Sequence, residues 1–141
     1  MEKYEQKEDV SLICLKAASF PEGIMDAFNK LQESLPNCSE RTWYGISKPN
    51  EKGEIIYKAA VTELSDMEAE KTGFESFTVT KGIYLTEEIK DWRKNMQMIG
   101  ETFNKLLQDP ELDMESSCIE RYTADDEILC MVKLKQLNNP A

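Results

Sequence analysis

The sequence predicts an α+β fold: duplicated strand-helix-strand-strand units with pseudo-twofold symmetry, antiparallel sheets, helices on one face and a ligand groove on the other. Three observations predict it. The tetrapeptide Phe-Asn-Lys-Leu occurs twice, at 28–31 and at 103–106. The closing strand of each half opens alike, with "EIIYKAAV" from Glu54 and "EILCMVKL" from Glu127. The offsets are 75 and 73 residues, and the elements around them come in the same order.

Each element has a local reason. "VSLICLKAASF", from Val10, is rich in β-branched and large apolar residues and reads as a buried strand. Ser19 and Glu22 are spaced as a capping box, with Pro21 tolerated in the first turn of a helix. Ile24, Ala27, Phe28, Leu31 and Leu35 then share one helical face, and Pro36 ends the helix. "RTWYGISKP" and "GEIIYKAAVTEL", joined by "NEKG", read as a hairpin. The polar stretch "SDMEAEKTG" reads as a connector, and "FESFTVTKGIYL" as one strand. Thr86-Glu87-Glu88 suits a helix start, with acids near the positive end of the dipole. Trp92, Met96, Ile99, Phe103 and Leu106 follow on one helical face, closed by Asp109-Pro110. "ESSCIERYT", the turn "ADDE" and "EILCMVKLKQL" complete the second half. The expected organisation is one domain over 1–141: a first repeat at about 8–64, a connector at 65–73 and a second repeat at about 74–137.

Composition narrows the function. Seventeen basic against 27 acidic residues give a net charge of −10, which opposes binding to a phosphate backbone. Histidine is absent, which removes Ser-His-Asp and Cys-His catalysis and every His-ligated metal site. Cys14, Cys38, Cys118 and Cys130 form no Cys-x-x-Cys pair, so free thiols in a reducing compartment are expected, with no zinc. No apolar run reaches membrane-spanning length, and the charged start "MEKYEQKEDV" has no signal-peptide core. The expectation is a cytoplasmic protein without metal or cofactor. Edge strands would permit a homodimer.

Strand parity nominates a site. Cys118, Glu120 and Tyr122 share one face of their strand, and Ser117, Ile119 and Arg121 the other. In the first half Thr42, Tyr44 and Ile46 share one face, and Trp43, Gly45 and Ser47 the other. Ile119 is read as the helix-side residue, which turns Glu120 and Tyr122 into the groove. Counting from the two tetrapeptides places Tyr44 and Glu120 at near-equivalent positions, meeting across the axis. A carboxylate among rings has its charge destabilised by desolvation, and a flat cation would relieve that cost while stacking on the rings. The same carboxylate could serve as a general base. The structural alternatives are a solvated strand carboxylate for Glu120, core packing for Trp92 and Trp43, and helix packing for the methionines at 96 and 98.

These stretches resemble a known family. "WYGI" followed by "GEIIYKAAV", then "FTVTKGIY", "MIGETFNKLLQ" and "CIERY", are similar in order and spacing to the GyrI-like small-molecule-binding domain, from about Val10 to Leu137. That domain is also the effector-binding module of some AraC-type and MerR-type regulators. The resemblance implies a groove for bulky aromatic or cationic compounds, with Glu120 as the central glutamate and Tyr44 as the tyrosine of "WYGI". Tyr57, Tyr84, Trp92 and Tyr122 follow by parity or location, with Ile46 and Cys118 beside them. It implies two alternatives. One is a hydrolase of cyclopropane-bearing DNA alkylators, with Glu120 and Tyr122 as catalytic residues. The other is a protein-interaction module such as a gyrase modulator. With no room for a DNA-binding domain, a stand-alone member is expected.

Overall fold

The computed structural model describes residues 1–135. Residues 136–141, which include the expected end of the last strand at Leu137, lie outside the described residues. The strands are β1 (Glu2–Gln6), β2 (Val10–Lys16), β3 (Trp43–Pro49), β4 (Ile55–Thr62), β5 (Glu75–Val79), β6 (Gly82–Lys90), β7 (Cys118–Ala124) and β8 (Glu127–Lys133). The helices are α1 (Ile24–Ser34), α2 (Glu68–Thr72) and α3 (Gln97–Leu106). All pairings are antiparallel, and the strands form one curled sheet in the order β1-β6-β8-β7-β3-β4-β2-β5. The two edge strands pair across the chain: β1 with β6, and β5 with β2. Among the described residues no helix is long and apolar enough to cross a membrane.

The sheet divides the apolar residues by parity. On the helix side, Ala27 and Leu31 of α1 pack against Ile13, Tyr57, Ala59 and Val61, and Phe103 and Leu106 of α3 against Leu85, Ile128, Cys130 and Val132. The leucines of the two tetrapeptides, Leu31 and Leu106, are both fully buried. The opposite face carries a third cluster, to which Leu12, Tyr44, Ile46, Ala60, Val79, Tyr84, Ile119 and Met131 contribute. Strands β2 to β8 all supply it, so the curled sheet closes on its own side chains. On that face Tyr44 and Ile46 are buried in the cluster, and the hollows left there, of about 200 and 290 Å³, are lined by Ile46, Lys58 and Phe77 and by Tyr84, Ile119 and Lys133. A cavity of about 360 Å³ lies on the helix side, between α1 and residues 92–93.

Several local expectations change. The first helix starts at Ile24 with Gly23 as N-cap, and no side chain caps it. Residues 19–23 instead form a tight turn in which Gly23 N–H donates to Ser19 C=O at 3.1 Å. A Cβ at Gly23 would sit 2.8 Å from the Ser19 nitrogen, so the turn closes only around glycine. Thr86-Glu87-Glu88 is strand, because β8 pairs with all three residues and β1 pairs with Thr86 on the other side. Glu87 is fixed by Lys105 of α3 at 2.7 Å. The expected strand 74–85 is two strands, broken where Asp9 Oδ1 accepts from Lys81 N–H at 2.8 Å and Gly82 adopts φ +145°. β1 and α2 lie in stretches where no regular element was expected.

One buried ion pair ties α2 to the sheet. Arg41, its side chain fully buried, makes a bidentate contact with Glu68 at 2.8 and 2.6 Å and also donates to Pro36 C=O and Thr62 C=O. Hydrogen bonding to Arg41 lowers the Glu68 carboxyl from 4.5 to about 2. A folded value below the unfolded one contributes stability above the unfolded value, lost as pH falls through the folded one. The stability gap between the native chain and Glu68→Gln, read from urea unfolding, should be widest above pH 4.5 and close toward pH 2. A gap independent of pH would show that the ion pair does not set this carboxyl.

Candidate functional site

The site begins at the central strand pair. In the β3–β7 register Gly45 stands opposite Glu120, and Tyr44 opposite Arg121. Glu120 points to the helix face, where a side chain at 45 would collide with what lies there. A Cβ on Gly45 would overlap the Tyr57 hydroxyl and lie 2.9 Å from Glu120 Oε1. The missing side chain is the space through which Tyr57 of β4 reaches across β3 toward β7.

Two hydroxyls converge on one oxygen. Tyr122 O–H donates to Glu120 Oε1 at 2.9 Å, and Tyr57 O–H to the same oxygen at 3.3 Å. The hydroxyls are 3.5 Å apart. Glu120 is only 8% exposed. Among the described residues no lysine or arginine pairs with it, and Oε2 has no protein donor. Burial raises its pKa, while the hydrogen bonds from Tyr122 and Tyr57 pull it part of the way back. Burial also raises both tyrosines, reinforced by the Glu120 charge, so they stay protonated as donors.

Aromatic rings enclose this group. Phe28 of α1 meets Trp43, Tyr57 and Tyr122 edge-on at 5.9, 6.3 and 5.9 Å between centroids. Phe20 stacks on Tyr57 at 5.9 Å, and Trp92 meets Tyr122 at 5.6 Å. Trp92 sits in a 3-10 turn, Trp92–Lys94, whose entry residue Asp91 is left-handed at φ 55°. Its indole N–H is buried with no acceptor among the described residues. A cavity of about 360 Å³ opens here, lined by Met25, Phe28, Trp43, Trp92, Arg93 and Tyr122 among others, with Tyr122 leading down to Glu120. Among the described residues no cluster of three His, Cys, Asp or Glu could hold a metal.

The sequence-nominated residues divide between two faces. Glu120, Tyr122, Tyr57 and Trp92 come together around the cavity, and Cys118 adjoins them on the same face of β7. Burial pushes the Cys118 thiol up to about 11, which leaves it unreactive at neutral pH. Tyr44, Ile46 and Tyr84 lie on the opposite face, packed with Ile119 in the cluster that closes the sheet. Ile119 is thus not the helix-side residue, and Tyr44 does not meet Glu120. Phe20, Phe28, Trp43, Arg93 and Gly45 join the site without having been nominated. The repeated tetrapeptide gave no sign that its first phenylalanine faces a cavity while Phe103 fills core.

Gly45→Ala should expel the Tyr57 ring from Glu120. The expected result is a loss of about 1–3 kcal/mol in urea unfolding, and a fall in any binding that depends on Glu120. Native stability in the variant would mean Tyr57 does not need that space.

No family model matches the chain, and no curated protein matches it by sequence. Its fold is similar to solved structures. An integron cassette protein from the mobile metagenome of Vibrio cholerae aligns with TM-score 0.66 at 11% identity, covering 95% of both chains. SAV2435, solved bound to tetraphenylphosphonium, aligns with TM-score 0.60 at 18% identity, covering 94% of both chains. A Staphylococcus aureus MU50 chain described as a bacterial transcription regulation protein aligns with TM-score 0.52 at 17% identity, covering 94% of this chain and 99% of that one.

Proposed function

We propose that this chain is a GyrI-like domain that binds bulky aromatic cations in the cleft between α1 and the Trp92 turn, with Glu120 as the buried counter-charge. The observation that carries this reading is a carboxylate with no cationic partner among the described residues, enclosed by aromatic rings beneath an open cavity. A flat or propeller-shaped cation would stack on the rings and meet the charge that burial destabilises. Support comes from a structural neighbour of similar fold whose solved complex holds tetraphenylphosphonium, a bulky aromatic cation. The duplicated architecture is part of the proposal. Gly45 stands 14 residues after Leu31, and Glu120 14 after Leu106, and the two face each other at the middle of the sheet. The order β6-β8-β7 followed by β3-β4-β2 has the form two copies would give.

Glu120→Gln tests the reading. A unit charge pair about 8 Å apart at an effective dielectric of about 20 is worth about 2 kcal/mol, a factor of about 30 in affinity. Tetraphenylphosphonium should therefore bind at least about tenfold more weakly to the variant, while Tm at neutral pH holds or rises. In the native chain affinity should fall as acid protonates Glu120, at a pH above the ordinary carboxylate range. Equal affinity in both proteins rules out Glu120 as the counter-charge.

The convergence of two tyrosine hydroxyls on Glu120 favours one second reading, hydrolysis of a strained cyclopropane ring. Burial raises the Glu120 pKa, which favours its protonated form as the donor to the opening ring; water then adds to the carbon left behind and returns a proton to the carboxylate. Incubation with a cyclopropane-bearing alkylator should then yield a product heavier by one water in mass spectrometry, and none with Glu120→Gln. Intact alkylator after prolonged incubation with the native chain eliminates hydrolysis.

A further inference from the structure

We propose that the mouth of this cleft holds a second cation subsite, occupied by the chain's own Arg93, and that the cleft with both subsites open fits an aromatic dication. The Arg93 guanidinium lies 4.7 Å from the centre of the Trp92 ring. Its Nε meets Asp126 Oδ1 at 3.3 Å and donates to Asp125 C=O at 3.2 Å. An aromatic face, a carboxylate and a carbonyl thus already cradle one cation. Trp92, Arg93 and Asp125 all line the cavity that leads to Glu120, so cradle and buried carboxylate share one space. Tyr122 spans them: its hydroxyl is on Glu120 and its ring is against Trp92.

The charges favour exchange of the occupant. Among the described residues Arg93 is the one basic side chain in the cavity wall, against Asp125 in the wall, Asp126 at its Nε and Glu120 beneath. With the guanidinium swung out to solvent, the mouth is left with two carboxylates and a bare indole face. The ion pair that holds Arg93 is exposed, at 62% for Arg93 and 57% for Asp126. Exposed ion pairs and exposed cation–π contacts are individually weak, so the side chain is released at little cost. A tethered arginine nevertheless competes at high effective concentration for a subsite it already occupies. It would keep the native chain from gaining much by a ligand's second charge. Arg93 is in this sense a specificity-determining residue for the proposed cation site, on which this inference rests.

Matched probes separate the possibilities. Benzyltrimethylammonium carries one charge, and its para-bis(trimethylammonium) counterpart carries two. The native chain should bind the two within about threefold of each other. Arg93→Gln opens the subsite, and the preference for the dication should rise by about tenfold, with monocation affinity little changed. Adding Asp126→Asn to Arg93→Gln should remove most of that gain. An unchanged preference in Arg93→Gln overturns the subsite. So does an equal gain for both probes, which would make Arg93 a plain obstruction, or a gain that survives loss of Asp126. Glu120→Gln measured with the monocation reports on the deeper site separately. Indifference there, with the dication gain intact, leaves the mouth subsite standing and removes the buried counter-charge.

Discussion

Burying Glu120 among aromatic rings, with two tyrosine hydroxyls on one of its oxygens and no cation beside it among the described residues, constrains the helix face of the sheet. The carboxylate needs donors, and the nearest strands must supply them without basic side chains. Tyr122 can do so from its own strand, two positions on. Tyr57 can do so only from two strands away, across β3, and that reach is open only because position 45 is glycine. The rings of both tyrosines then need apolar neighbours, which Phe20, Phe28 and Trp92 provide. Each residue of the site is thus fixed by the one before it. The consequence for pH is a pair of opposed carboxylates. Glu68, lowered by Arg41, adds stability above its unfolded value. Glu120, raised by burial, adds stability only in acid and loses it as pH rises through its folded value.

The two faces of the sheet serve different ends. The face without helices is packed by Leu12, Tyr44, Ile46, Tyr84, Ile119 and Met131, which leave smaller hollows of about 200 and 290 Å³. On the helix face α1 and α3 each bury a leucine and α2 buries Ala69, and the cavity opens between α1 and residues 92–93.

Much of this was legible in the sequence where periodicity is strong. The face of α1, both hairpins and the placing of Phe103 and Leu106 followed from spacing alone. Glu120 was nominated by strand parity and by the family resemblance, but for the face away from the helices, whereas it lies on the helix side with Tyr57 and Tyr122. The partner assigned to it was wrong by a single residue. Glu120 falls 14 residues after Leu106, and the same step from Leu31 ends on Gly45, not Tyr44. In a strand one residue reverses the face, which moved Tyr44 out of the site and hid the role of the glycine. The strand β1 was illegible because "EKYEQ" has almost no apolar content. It is held by backbone pairing to β6 and by Arg121 stacking on Tyr4 at 5.4 Å. Glu87-Glu88 misled for a related reason, since long-range partners overrode their local preference for a helix start.

The exchange of edge strands has a consequence for how the chain reaches this state. β1 pairs with β6 at one edge of the sheet and β5 with β2 at the other, so both edges join strands far apart in the chain. Glu2 and Thr86, bonded across that seam, are 84 positions apart. Such contacts require closing a long loop before they return any energy, which places the fold among slow, high-contact-order topologies. β1 therefore stays unpaired until β6 is in place, and the edge of β6 stays open in the interval. The charged residues at Glu2, Lys3 and Glu5 that made this strand invisible to pattern reading would also keep it from pairing with other chains while it waits.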